Sequence, residues 1–178
     1  MSTAKTKRSE LVYAALLSED HEAVLTALDR IEVDGDARAI KPLLSALVAT
    51  ENTDVRRRIT GLLNTVKATD AVSELLVALD EPQFSSERST VLSAFWNAGL
   101  DVREHLDVFI DIALEGSAEE CFECLTVIEN QEIWPEKAAR GAMGRVKKAL
   151  PNEKDDYKAA MLRDLVTVLE FRLGLDGA

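Results

Sequence analysis

A nine-residue apolar pattern occurs twice in this chain, thirty-two residues apart. Ala39-Ile40-Lys41-Pro42-Leu43-Leu44-Ser45-Ala46-Leu47 aligns with Ala71-Val72-Ser73-Glu74-Leu75-Leu76-Val77-Ala78-Leu79. The segments that follow keep the same spacing: Arg56 aligns with Arg88, Ile59 with Val91, Leu63 with Phe95 and Val66 with Ala98. A shift of thirty-three then places Cys124 under Val91 and Ile128 under Phe95. A period of this length holds two short helices. One such hairpin cannot bury its own apolar face, whereas stacked hairpins bury a continuous one.

The apolar spacing within each unit is helical. Leu11, Ala14 and Ala15 share a face; so do Val24, Leu25, Leu28 and Ile31, and then Ile40, Leu43, Leu44 and Leu47. Steps of three and four recur, and no alternating run reads as a strand. The pattern predicts about ten helices, at 9–17, 20–31, 37–49, 53–67, 70–80, 85–98, 102–115, 118–130, 135–150 and 154–173. Asp36, Thr53, Ser85, Asp101, Ser117 and Asn152 each suit an N-cap. Asp101 with Glu104 and Ser117 with Glu120 have capping-box spacing, and Pro135 suits a first helical position. Connections of two to five residues force neighbouring helices antiparallel. The expected fold is therefore all-α, one domain over 1–178. Residues 1–8 form a ragged start, and 154–173 a closing helix with Met161, Leu162, Leu165, Leu169 and Leu173 on one face.

The 178 residues, 47% of them apolar, suffice for a buried core. The formal charge of −11 argues against nucleic acid, whose binding rests on Lys and Arg at phosphates. Two cysteines make no disulfide framework, and no run approaches the ~20 apolar residues of a membrane span. The basic start and the apolar run Leu11 to Leu17 lack a following cleavage site and break at Ser18-Glu19-Asp20. The expectation is a cytoplasmic protein without a membrane partner.

Gly35-Asp36-x-x-Ala39-Ile40-x-Pro42-Leu43-Leu44-x-x-Leu47, followed by Asp54-Val55-Arg56, resembles the HEAT-repeat family in its short-period form. The match covers about residues 35–98. In that family a proline often bends the first helix of a unit, and Asp-Val-Arg opens the second. Pro42 fits that place and should kink its helix. The fourth repeat has Cys121 in the position of the aligned arginine. A second Asp-Val-Arg, Asp101 to Arg103, falls on a first helix, which leaves the helix parity beyond residue 98 open. The resemblance implies a right-handed α-α superhelix, a solenoid of about five antiparallel hairpins whose second helices line a concave surface. It implies a protein-binding scaffold or adaptor and no chemistry.

The residues offer little chemistry. Cys121 and Cys124 sit in the apolar stripe with Leu125 and Ile128 and read as small buried hydrophobes. The only histidines, His21 and His105, lie far apart, so neither a metal nor a cofactor is expected. No nucleophile elbow and no phosphate-binding loop occurs. Gly141-x-x-Gly144 reads as a place where a neighbouring helix approaches closely. Among enzymes of HEAT-like architecture, a phycobilin lyase has the most similar repeat type, yet nothing here specifies a bilin pocket. A cofactor-handling lyase-like protein and a structural subunit of a larger complex are the alternatives to a non-enzymatic scaffold.

The charge is concentrated in the middle of the chain. Residues 1–68 are net neutral, 69–132 carry fifteen acids against Arg88 and Arg103 alone, and 133–178 carry a slight positive excess. Glu104, Asp107, Asp111 and Glu115 form one stripe on a first helix, and Glu119 and Glu123 form a pair on the next. Non-core positions of the second helices align as Arg57, Ser89, Phe122 and as Asn64, Trp96, Glu129. The candidate partner-binding set is Arg57, Asn64, Trp96, Glu119, Phe122, Glu123 and Glu129. Aromatic anchors rimmed by acids suit a protein or peptide with a basic segment. Whether Trp96 and Phe122 lie in the groove or in the core is open at this point.

Overall fold

The computed structural model describes residues 2–68 and 70–175, with side chains from residue 8 onward. Among these residues there are ten α-helices and no strand. They are α1 (Ser2–Ala15), α2 (His21–Asp34), α3 (Ile40–Ala49), α4 (Thr53–Asn64), α5 (Ala71–Asp80), α6 (Arg88–Asn97), α7 (Leu106–Glu115), α8 (Ala118–Asn130), α9 (Glu136–Ala149) and α10 (Asp156–Arg172). Helix number and order follow the apolar spacing. The first helix reaches back to Ser2 rather than starting near residue 9, because the residues before it contain no breaker.

The ends of the helices follow local hydrogen bonding more closely than residue type alone indicated. Ser117 and Glu120 form the expected capping box on α8, Glu120 accepting from the Ser117 N–H at 2.7 Å. The cap of α4 is Asn52 rather than Thr53, its side chain accepting from two amides at 3.0 Å. The cap of α10 is Asp155 rather than Asn152, and Ser85 lies inside a 3₁₀ stretch at Pro82–Glu87. Pro135 is the residue before α9, one position earlier than expected. Pro42 lies in the first turn of α3. It has no N–H to donate to residue 38, and the turn before α3 is 3₁₀ (Ala37–Ala39), bonded three residues back.

Asp101 and Glu104 make no capping box. Instead Asp101 forks with Arg103, whose Nε lies 2.9 Å from Oδ1, ahead of a 3₁₀ turn at Arg103–His105. Asp36 and Arg38 form the same fork ahead of α3, with Nε to Oδ1 at 3.0 Å. The second Asp-x-Arg thus belongs to the entry of an odd-numbered helix, as Asp36-x-Arg38 does.

Two compact units divide the chain, Met1–Ala98 and Gly99–Ala178. In the N-terminal unit α1 packs on α2, α3 on α4 and α5 on α6. Odd helices also meet odd helices (α1 with α3, α3 with α5), and even helices meet even ones (α2 with α4, α4 with α6). Leu28, Ile40, Leu44, Leu47, Ile59, Leu63, Leu75, Leu92 and Phe95 are fully buried between them. Each such side chain contributes about 1.5–3 kcal/mol through apolar burial. In the C-terminal unit the packed pairs are α7 with α8, α9 with α10, α7 with α9 and α8 with α10. Its core includes Leu106, Phe109, Ile110, Cys121, Cys124, Ile128, Leu162 and Leu165. Trp134 is buried too and donates to the Ile128 carbonyl at 3.2 Å.

A cation at the carbonyl end of a helix recurs in both units, where the helix dipole favours it. Arg56 donates to the Leu47 carbonyl at 2.6 Å and to Glu87 at 2.8 Å. Arg88, its repeat equivalent, reaches the Leu79 carbonyl at 3.5 Å. At the third equivalent position stands Cys121, which is wholly buried and cannot do this. There the cation arrives from α10: Lys158 Nζ donates to the carbonyls of Leu114 at 2.9 Å and Gly116 at 2.7 Å.

Candidate partner-binding surface

The seven sequence-selected residues fall on three helices in two units. Arg57 and Asn64 lie on α4 and Trp96 on α6, two helices that pack together in the N-terminal unit. Glu119, Phe122, Glu123 and Glu129 all lie on α8 in the C-terminal unit.

On α4, Arg57 is exposed and paired with Asp54 one turn away. Arg58, not selected from the sequence, bridges Asp29 at 2.7 Å and Glu32 at 2.6 Å on α2. Glu32, Asp54, Arg57 and Arg58 wall an open cleft of about 500 Å³ with Leu25, Gly61, Leu62 and Thr65 in its lining. Arginines and acids alternate there, so the cleft offers no field of one sign. Asn64 is half-buried, its Oδ1 out of contact with solvent and without a hydrogen-bond partner. Trp96 is also half-buried, so it belongs in part to the core.

On α8 the arrangement is more coherent. Residues 119, 122, 123, 126 and 129/130 share one side of the helix by their spacing. Phe122 is 46% exposed, a large apolar surface for an aromatic side chain on a helix. Glu119 and Glu129 are exposed and Glu123 half-buried. The helix carries four acids and no base. Glu120 is withdrawn from the stripe by its cap, and Thr126 bonds back to the Phe122 carbonyl at 3.0 Å. One cation approaches the far end: Arg172 donates to the Glu129 carbonyl at 2.8 Å while its guanidinium lies 5.6 Å from the Phe171 ring centre.

Elsewhere much of the acidic charge is locally matched. Asp107 and Asp111, half of the α7 stripe, pair with Arg145 of α9, a residue the sequence reading did not select. Glu81 pairs with Lys41, whose ammonium holds its carboxyl below the ordinary range, and Glu87 pairs with Arg56. The Arg103 fork holds Asp101 down to about 2. The repeat alignment gave the Arg56 position, but Arg145 and Lys158 left no signal in the linear pattern. They come from helices more than thirty residues away.

Two further residue pairs can be placed. Cys121 and Cys124 are buried, and burial pushes the Cys121 thiol up to about 11, which keeps it protonated and unreactive. Gly141 and Gly144 are exposed on α9, and a Cβ on either would meet nothing within 4 Å. The expected close approach of a helix there is not found: the apolar face of α9 is Ala139, Ala142, Met143 and Val146, and the glycines fall on the opposite side. Among the described residues no group of three or more His, Cys, Asp or Glu is placed to hold a metal ion. No helix among them is long and apolar enough to cross a membrane.

No protein-family model matches the chain, and no curated protein matches it. What the fold itself defines is an all-α protein of short helices packed against one another.

Proposed function

We propose that the chain is a HEAT-like helical-repeat protein, built as a right-handed solenoid of hairpins, that binds a protein partner through a basic segment. The repeat of about thirty-two residues supports the architecture. So does the packing of odd helices with odd and even with even inside each unit, which is the contact pattern of stacked hairpins. One observation carries the binding reading: Phe122 stands 46% exposed on a helix with four acids and no base. An exposed aromatic supplies the apolar anchor, and Glu119, Glu123 and Glu129 select a cationic neighbour and speed its approach at low salt.

Affinity capture at low and at moderate salt, followed by mass spectrometry, tests this with the wild type and with Phe122→Ala/Glu119→Lys. The expected result is a partner that salt weakens and the variant loses, by about thirtyfold or more in affinity. The variant melts within a few degrees of the wild type, since surface changes cost about 0.5 kcal/mol and a half-exposed ring little more. Capture of no salt-sensitive partner refutes the electrostatic reading. A large fall in melting temperature shows instead that Phe122 is core.

A further inference from the structure

All the exposed aromatic side chains among the described residues stand in the C-terminal unit, on two helices that pack side by side. Phe122 on α8 is 46% exposed, and on α10 Tyr157 is 65% and Phe171 62% exposed. The two helices run the same way. Lys158, near the start of α10, reaches the Gly116 carbonyl just before α8, and Arg172, at the end of α10, reaches the Glu129 carbonyl near the end of α8. Arg172 therefore marks the side of α10 that meets α8. By helical spacing Tyr157, Asp164 and Val168 fall within about a quarter-turn of it. The Phe171 ring lies 5.6 Å from its guanidinium. The opposite side of α10 carries Arg163, Thr167 and Glu170, the last paired with Lys147 of α9. On α8, Phe122 and Glu129 share the exposed side by their spacing. The other two helices of this unit, α7 and α9, expose no large apolar side chain. On the helices of this unit, apolar exposure is thus confined to one groove, with α8 as one wall and α10 as the other. Its acids are Glu119 and Glu129 on α8 and Asp164 on α10, all exposed. Its base, Arg172, is engaged with the Glu129 carbonyl.

We infer that this groove takes an amphipathic α-helix of the partner, with Lys and Arg on both edges of its apolar stripe. The inference rests on the α8 reading above and names the form of the basic segment. From Tyr157 to Phe171 the groove runs about 21 Å along α10, which a partner helix of about fourteen residues matches. The walls argue for a helix rather than an extended strand. Both are helices, whose amides and carbonyls are spent internally, so a docked strand would bury backbone groups without partners. A helix satisfies its own backbone and presents side chains at steps of three and four, the steps at which Phe122, Thr126 and Glu129 stand on α8. Its apolar stripe lies against Phe122, Val168 and Phe171. Cations on one edge reach Glu119 and Glu129, and cations on the other reach Asp164.

Fluorescence anisotropy of the full chain with three labelled Leu/Lys peptides of about fifteen residues tests this. One has its leucines at helical spacing, one has the same residues in scrambled order, and one has proline in place of the central leucine. The first is expected to bind with a dissociation constant on the order of tens of micromolar. It gains helicity when bound, read from the carbon shifts of the isotopically labelled peptide. The scrambled and proline peptides bind about tenfold or more weakly, because neither offers an unbroken apolar stripe. Tyr157→Ala and Phe171→Ala each weaken the first peptide by about fivefold or more. Val77→Ala, at a 48% exposed position of α5, leaves it unchanged. Equal binding of the three peptides overturns the inference. So does a bound peptide that stays unfolded, or binding that Tyr157→Ala and Phe171→Ala leave intact. If Phe122→Ala still weakens binding in those cases, the α8 reading survives without the helical groove. Failure of the first peptide to bind also overturns the inference, and affinity capture then decides the α8 reading alone.

Discussion

Replacing Lys158 by Met removes a charge from the C-terminal unit while leaving the volume of its stem. Lys158 is 7% exposed and spans two elements, its ammonium lying on the Leu114 and Gly116 carbonyls at the end of α7. Glu153 adds an ion-pair contact at 3.6 Å. Glu153 keeps two other partners in the variant, the amides of Lys154 and Asp155 at 2.7 and 2.9 Å. The loss therefore falls mainly on the α7 carbonyls. Two charge-assisted hydrogen bonds contribute roughly 1.5–3 kcal/mol each, offset by the relieved cost of burying an ammonium, which leaves a net loss of about 2–3 kcal/mol. For a chain of this size that is about 5–10 °C in melting temperature. The measurement is denaturant unfolding in a Trp96→Phe background, where the buried Trp134 reports on the C-terminal unit. Lys158→Arg, which keeps the charge, loses less. A loss under about 0.5 kcal/mol for Lys158→Met, or an equal loss for Lys158→Arg, refutes the idea that this cation replaces the arginine missing at Cys121.

Two further outcomes follow from local geometry. Gly141→Ala and Gly144→Ala each stabilise the protein by about 0.5–1 kcal/mol, because the added methyl meets open space and the unfolded chain loses freedom. A destabilised variant in thermal melts would show that something does approach α9 there. The Asp101 carboxyl, followed by carbon NMR, titrates near 2 rather than at the ordinary 3.8. Because its folded pKa is depressed, the stability it adds is complete above about pH 4 and is lost as the pH falls toward 2. Asp101→Asn removes that part of the acid dependence, and titration at the ordinary value would show that the Arg103 fork does not hold in solution.

The sequence located all ten helices because burial of an apolar stripe imposes its period on the chain. It located the capping box of α8 because Ser117 and Glu120 satisfy one another within four residues. It missed Asn52 and Asp155 as caps because several polar residues in each connection have the right chemistry. The hydrogen bonds actually formed choose between them. The exposure of the candidate residues was less legible. The residue pattern left Trp96 and Phe122 open between groove and core, and only the structure separates Phe122, which stands out from α8, from Trp96, which is half-buried on α6. The net charge of residues 69–132 overstated the acidic surface, since Arg145, Lys41 and Arg56 reach into it from outside that segment.

The sequence by itself determined what is periodic and local: helix number, the apolar faces, the repeat, and the burial of a cysteine pair set in an apolar stripe. Only the tertiary structure decided which charges are matched and which cation closes which helix end. Lys158 illustrates the reason. A helix end is satisfied by whichever donor lies near it in space, and packing brings that donor from another helix forty-two residues past Gly116. No local pattern along the chain records such a meeting.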